Sequence, residues 1–245
     1  MLGDRAIFSR PFRFGLPNVD IMSRRPVQGI DRPMSTVILS DFDGTITNID
    51  TGEYVLSQFA HGDWRAYDER LERGEITLEE CLTKQFAMVK ETEGRLLERV
   101  EGVVSFRPGF EDLVDYCGTK GYPFVVVSGG LDFIIRHLLR AKNLLDRVEI
   151  VAPRAEVTRL GIAFRFPRTS HVGSLNFKDD LVRTYAARGI RSVYIGDGVP
   201  DLAAITRADV RFAIRGSRLS RLCKRDGITF QEIDDFHDVL RSLGH

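Results

Sequence analysis

Two aspartates one residue apart, Asp41 and Asp43, stand directly after the apolar run Thr36-Val37-Ile38-Leu39-Ser40 and directly before Gly44-Thr45-Ile46-Thr47. Carboxylates at i and i+2, where a chain leaves a strand, can both face the solvent end of a sheet. One can attack an electrophilic centre such as phosphorus while the other delivers and withdraws protons. Those roles need different protonation states, which a nearby cation and unequal burial can set. An Asp-Gly pair alone would mark only a tight turn, but the preceding strand and the following Gly-Thr narrow the reading.

Three further segments hold groups that suit the same chemistry. Ser128-Gly129-Gly130 follows the run Phe124-Val125-Val126-Val127, Lys178 stands alone near residue 180, and Asp197 and Asp201 lie in Gly196-Asp197-Gly198-Val199-Pro200-Asp201 after Ser192-Val193-Tyr194-Ile195. Each has a plain alternative: a turn into a helix, a solvated lysine, a turn. Their order along the chain and their placement after strands favour a shared site.

The elements that must position them are legible from pattern. The β-branched runs Thr36–Leu39, Phe124–Val127, Ser192–Ile195 and Val210–Ile214 predict strands covered on both faces, as in a parallel sheet. Between them, Leu131, Ile134, Ile135, Leu138 and Leu139, and then residues 181–187, follow helical spacing. The alternation predicts a doubly wound α/β domain. Ligands of such sheets bind outside the carboxyl ends of the strands, so Asp41, Asp43, Ser128, Asp197 and Asp201 should share one edge.

Residues 49–105 read as wholly helical. Trp64, Tyr67 and Leu71 recur at helical spacing as core candidates, and Thr77 with Glu80 forms a capping box for a helix carrying Leu78, Leu82 and Phe86. The expected organisation is a core of residues 34–48 and 106–245 with a helical cap, residues 49–105, inserted after the first strand. Val148–Val151 and Ile162–Phe166 are expected as short strands of an extended arm.

The Asp41-Phe-Asp-Gly-Thr-Ile-Thr segment resembles the nucleophile motif of the haloacid dehalogenase superfamily, and the three later segments resemble its other motifs in order. The resemblance implies that Asp41 is a nucleophile and magnesium ligand, and that Asp43 is the general acid and base and binds Mg²⁺ through its carbonyl. It implies that Ser128 and the Gly129 backbone hold phosphoryl oxygens, that Lys178 neutralises charge, and that Asp197 and Asp201 hold the metal. The implied activity is hydrolysis of a small-molecule phosphate monoester through an aspartyl-phosphate. Phosphotransfer to another acceptor and a non-catalytic binding protein on the same scaffold are the alternatives.

The helical cap resembles the branch that contains phosphoserine phosphatase. Where those enzymes carry an Arg for the substrate carboxylate this chain has Gln85, and where they have an Asn in the last motif it has Pro200. The phosphatase family of methionine salvage is the nearer resemblance. It is carried by the first motif, Asp50, Arg73-Gly74-Glu75-Ile76, Gln85 and Ser128-Gly129-Gly130-Leu131-Asp132-Phe133; Ser174-Leu175-Asn176-Phe177-Lys178 replaces that family's cysteine-rich stretch. By resemblance Asp50 and Gln85 would face substrate. Phosphoserine and phosphocholine- or phosphoethanolamine-type substrates are alternatives, because Asp50 could meet an amine. Asp50 could equally be a helix N-cap before Tyr54 and Val55.

Composition bounds the partners. The chain has 245 residues, with Lys plus Arg and Asp plus Glu both 35, which offers no broad field for nucleic acid or an anionic membrane. No apolar run approaches the roughly 20 residues of a membrane span. Cys81, Cys117 and Cys223 are scattered and the five histidines form no HxH or HxxxH pair, so free thiols in the cytoplasm are expected, with neither disulfides nor zinc. Residues 1–33 hold six Arg and three Asp but no Lys or Glu. They are expected to be a disordered extension, or to precede a true start at Met34; no hydrophobic segment follows Arg24-Arg25 to make a signal.

Overall fold

The structure, a computed structural model, describes residues 35–244; the expected extension over residues 1–33 lies outside them. In chain order the elements begin with strand β1 (Thr36–Ser40) and the helices α1 (Thr51–Phe59), α2 (Arg65–Glu72), α3 (Leu78–Phe86) and α4 (Glu93–Glu101). Next come α5 (Phe110–Lys120), β2 (Phe124–Val127), α6 (Asp132–Ala141), β3 (Glu149–Val151), β4 (Arg154–Thr158) and β5 (Gly161–Arg165). The chain continues through α7 (Phe177–Ala187), β6 (Arg191–Gly196), α8 (Leu202–Arg207), β7 (Val210–Ile214), α9 (Arg218–Arg225), β8 (Gln231–Ile233) and α10 (Phe236–Leu243).

Six strands form one sheet in the order β3-β2-β1-β6-β7-β8, every neighbouring pair parallel. Side chains alternate across it. Ile38, Val126, Val193, Ile195 and Phe212 pack on one face with residues of α5, α6 and α10 such as Phe110, Leu113, Ile134 and Phe236. Val37, Leu39, Val125, Val127 and Tyr194 pack on the other with Phe177, Leu181, Ile205, Leu219 and Cys223 from α7, α8 and α9. Burial on both faces explains why these strands read as unbroken apolar runs.

Helices α1–α4 form the insertion after β1. The chain leaves and returns side by side: Thr47 bridges Phe106, and the Asn48 N–H donates to the Ser105 carbonyl at 2.9 Å. The capping box of α3 is present, with Thr77 Oγ1 accepting from the Glu80 N–H and Glu80 returning the bond. Trp64 is buried, but as the residue before α2, while Tyr67 and Leu71 are half-buried.

Two assignments change. Glu149–Val151 is not part of an outlying arm; it pairs with β2 as the edge of the main sheet, because Ile150 and Val151 continue the apolar cover of β2. Only β4 and β5 form a separate antiparallel hairpin. Strand β8, three residues with only Ile233 buried, carries too little pattern to be seen in sequence.

Candidate active site

The carboxyl end of β1 sets the first pair of acids. The Asp41 N–H continues the ladder onto the Ile195 carbonyl at 2.9 Å, and the chain then curls so that the Phe42 carbonyl accepts from the N–H groups of Ile46 and Thr47. Phe42 is fully buried among core residues and anchors the turn while its neighbours on either side face the cleft. Gly44 makes the curl possible: its φ is +71°, and a Cβ there would stand 2.5 Å from Asp197 Oδ2.

Around this turn the other strand ends converge. Lys178, in the first turn of α7, places Nζ 2.8 Å from Asp41 Oδ2 and 2.7 Å from Asp201 Oδ1. Ser128 Oγ donates to Asp43 Oδ2 at 3.3 Å and accepts from the Gly130 N–H. A Cβ on Gly130 would lie 2.2 Å from Asp43 Oδ2, so this glycine makes room for the acid. The expected edge, Asp41, Asp43, Ser128, Asp197 and Asp201, is thus one cluster, with Lys178 within it.

Asp201 is saturated. Oδ1 accepts from Lys178 and from the Tyr194 hydroxyl, each at 2.7 Å, and Oδ2 from the N–H groups of Asp197 and Gly198. Burial alone would raise its pKa, but the Lys178 charge and these donors hold it below the ordinary carboxylate value. Burial would likewise lower the Lys178 ammonium, and Asp201 with Asp41 holds it well above its usual value instead.

The remaining acids move the other way. Asp41 is raised by burial and then by repulsion from Asp201, against the pull of Lys178. Asp43 is raised by burial, although hydrogen bonds from Thr51 oppose this. Asp197 is pushed up to about 7 by burial and by Asp201. One ammonium therefore cannot neutralise the cluster.

Oxygens of Asp41, Asp197 and Asp201 lie within 4.8 Å of one another. A set of hard oxygen donors with excess negative charge, without Cys or His, fits Mg²⁺. Each Asp41 oxygen accepts one bond, from the Phe42 N–H and from Lys178, and Asp197 accepts one from Thr45, so both keep lone pairs for it; each Asp201 oxygen already accepts two.

The inserted helices complete the walls. Asp50 is the N-cap of α1, its Oδ1 accepting from the Glu53 N–H at 2.7 Å. Its side chain is exposed; neighbouring protein atoms and then the Asp43 charge push its carboxyl up to about 8. Leu78 and Leu82 of α3 face Gly129. Gln85 is buried on the same helix and its amide nitrogen donates to the Trp64 carbonyl at 3.1 Å and to Asp68 Oδ1 at 2.8 Å. Both amide hydrogens are taken inside the insertion.

Sequence reasoning passed over four contributors. Thr51 holds Asp43 Oδ1 through its N–H and hydroxyl, Thr45 Oγ1 donates to Asp197 Oδ1, and Tyr194 supports Asp201. Arg107 grips the first turn from the far linker, donating to the carbonyls of Gly44 at 2.8 Å and Thr45 at 2.9 Å. A threonine beginning a helix directly after the acidic turn was a usable signal for Thr51. The Arg107 contacts reach back more than 60 positions, and nothing local announces them.

Residues 38–206 match the family model described as haloacid dehalogenase-like hydrolase. The chain is 31% identical over 215 residues to the bifunctional enzyme MtnB/MtnX of Bacillus licheniformis, covering 84% of this chain and 49% of that protein, so it spans about half of that relative. It is 28% identical over 212 residues to the 2-hydroxy-3-keto-5-methylthiopentenyl-1-phosphate phosphatase of Brevibacillus brevis, covering 84% of this chain and 94% of that one. The solved phospho-aspartyl intermediate analogue of phosphoserine phosphatase superposes with a TM-score of 0.64. That match spans 86% of this chain and 99% of that chain at 20% identity, and is a likeness of fold.

Proposed function

The chain belongs to the haloacid dehalogenase-like hydrolase family, and from that premise we propose that it is a Mg²⁺-dependent phosphatase of a small phosphorylated metabolite, working through an aspartyl-phosphate on Asp41. The observation that carries this reading is Lys178, whose ammonium touches Asp41 and Asp201 at the end of the sheet where Asp43 and Asp197 also converge.

Asp41, Asp197 and the Asp43 carbonyl would hold the ion, with Asp201 adding charge. When bound, Mg²⁺ offsets the negative charge of carboxylates and phosphoryl oxygens. Asp41 Oδ attacks phosphorus, and Asp43 gives its proton to the departing alkoxide. In the second half Asp43 takes a proton from water, whose oxygen attacks phosphorus and frees Asp41. The raised pKa of Asp43 suits a group that must arrive protonated. Lys178, Ser128 Oγ and the Gly129 N–H supply positive charge and donors to phosphoryl oxygens that gain charge in the transition state.

Residues 49–105 act as a cap over the core of residues 34–48 and 106–245. For substrate we favour a keto-phosphate of the kind named for the Brevibacillus relative. Gln85 offers an oxygen in place of a charged fork, which disfavours a carboxylate-bearing substrate. Asp50 accepts a hydroxyl from substrate at the cleft wall. Among the described residues no helix is long and apolar enough to cross a membrane, and the three cysteines are free and buried; we place the enzyme in the cytoplasm. Release of phosphate from p-nitrophenyl phosphate, with and without Mg²⁺, tests the reaction class. Activity unchanged by chelation would contradict it.

A further inference from the structure

Asn176 is buried just ahead of Lys178 and is used by two elements at once. Its Oδ1 accepts from the N–H groups of Lys178 and Asp179, both at 3.0 Å, as N-cap of α7. Its Nδ2 donates to the Pro200 carbonyl at 2.9 Å, on the 3₁₀ turn Val199–Asp201 that ends in Asp201. The amide orientation follows from its surroundings, since only oxygen can face two N–H groups and only nitrogen can face a carbonyl. The Pro200 carbonyl, an acceptor on that turn, is thus met from across the site.

We propose that Asn176 is a positioning residue, a rigid bracket that fixes the spacing between Lys178 and Asp201; this rests on the phosphatase reading above. The planar amide joins the helix start that carries one partner of the 2.7 Å ion pair to the turn that carries the other. Lys178 in turn reaches Asp41 from that fixed point. Phosphoryl transfer depends on such placement, and a shift of about 1 Å can cost on the order of 10²-fold in rate. The helix start has other anchors: Asp179 pairs with Arg207 at 2.6 Å and Arg183 at 3.2 Å. Losing the bracket should therefore move the ion pair without unfolding α7.

The test is Asn176→Ser beside Asn176→Asp. Serine and aspartate both cap helices well, but aspartate has no donor for the Pro200 carbonyl and the serine hydroxyl, one bond shorter than the amide, stops short of it. The expected result for both is kcat lowered about 10- to 100-fold with KM for p-nitrophenyl phosphate changed little. Asn176→Ser should melt within about 5 °C of wild type, the cost of one buried hydrogen bond, and its Mg²⁺ affinity by titration calorimetry should be weaker by about threefold or more. If Asn176 is only a cap, both variants keep wild-type kcat and Mg²⁺ affinity, which overturns the proposal. If wild type itself releases no phosphate, the phosphatase reading has failed and calorimetry decides: equal Mg²⁺ affinity in wild type and Asn176→Ser overturns the bracket, and weaker binding in the variant upholds it.

Discussion

Thr51, the first residue of the inserted helices, donates both its hydroxyl (2.5 Å) and its backbone N–H (2.9 Å) to Oδ1 of Asp43. The group assigned to proton transfer is thus oriented from the cap side, while Ser128 holds its other oxygen from the core. One such hydrogen bond is worth about 0.5–1.5 kcal/mol. Thr51→Val keeps the N–H and the shape, and should lower kcat about tenfold while Mg²⁺ affinity and melting temperature hold. Unchanged kcat would show that the N–H alone orients Asp43.

The two glycines after Ser128 should differ sharply. A Cβ at position 130 would meet Asp43 Oδ2 at 2.2 Å, whereas one at 129 would meet Leu82 at 3.4 Å, an ordinary contact. Gly130→Ala should therefore cut kcat/KM by about 10² or more through displacement of Asp43, with the fold retained. Gly129→Ala keeps the backbone N–H and should stay within a few-fold of wild type. Equal losses in the two variants would contradict this geometry.

Substrate charge can be tested through Gln85. Because Asp68 Oδ1 lies 2.8 Å from its amide nitrogen, an arginine placed there would pair with Asp68. Gln85→Arg alone should give little gain with phosphoserine. Adding Asp68→Asn should free the guanidinium and raise kcat/KM for phosphoserine by about tenfold or more, without helping p-nitrophenyl phosphate. A large gain from the single variant would show that Asp68 does not compete.

Asp180 supplies a pH-dependent contribution to stability. Its Oδ1 accepts from the N–H groups of Ser170 and His171 and from Ser174 Oγ, pinning the loop before α7. Burial alone would raise this carboxyl, but the donors, led by the His171 N–H, hold it below its ordinary value. A depressed folded pKa means that the stabilisation is complete above the unfolded value near 3.9 and fades as pH falls through the folded value. Asp180→Asn should cost about 1–2 kcal/mol at pH 7, and the gap in melting temperature to wild type should begin to narrow below about pH 4 and close as pH falls through the folded value. A gap independent of pH would show that charge is not involved.

The main sheet and its edge of acids were legible because strands buried on both faces leave unbroken apolar runs and their polar ends follow at once. Thr36–Ser40 and Phe124–Val127 are of this kind. Strand β8 was not legible, since one buried residue, Ile233, makes no pattern. Asp50 was readable as a cap from its place before a helix, and that bond is present. The engagement of Gln85 was hidden because its partners, Asp68 of α2 and Trp64 just before it, lie outside its own helix. The same holds for Asn176, whose third bond crosses 24 positions to Pro200. Sequence reports local periodicity well, and it reports the side-chain bonds between separate elements poorly.

Whether Asp41 forms the covalent intermediate is decided by phosphate release from Asp41→Asn beside wild type at saturating Mg²⁺. The substitution removes the attacking oxyanion and one charge facing Lys178 while keeping the shape. Turnover of p-nitrophenyl phosphate should fall by at least about 10³, because Asp43 is held by Thr51 and Ser128 for proton transfer and Asp197 faces the metal, which leaves Asp41 as the acid placed to attack. A variant that kept a tenth of wild-type turnover would show that the covalent bond to Asp41 is not on the route.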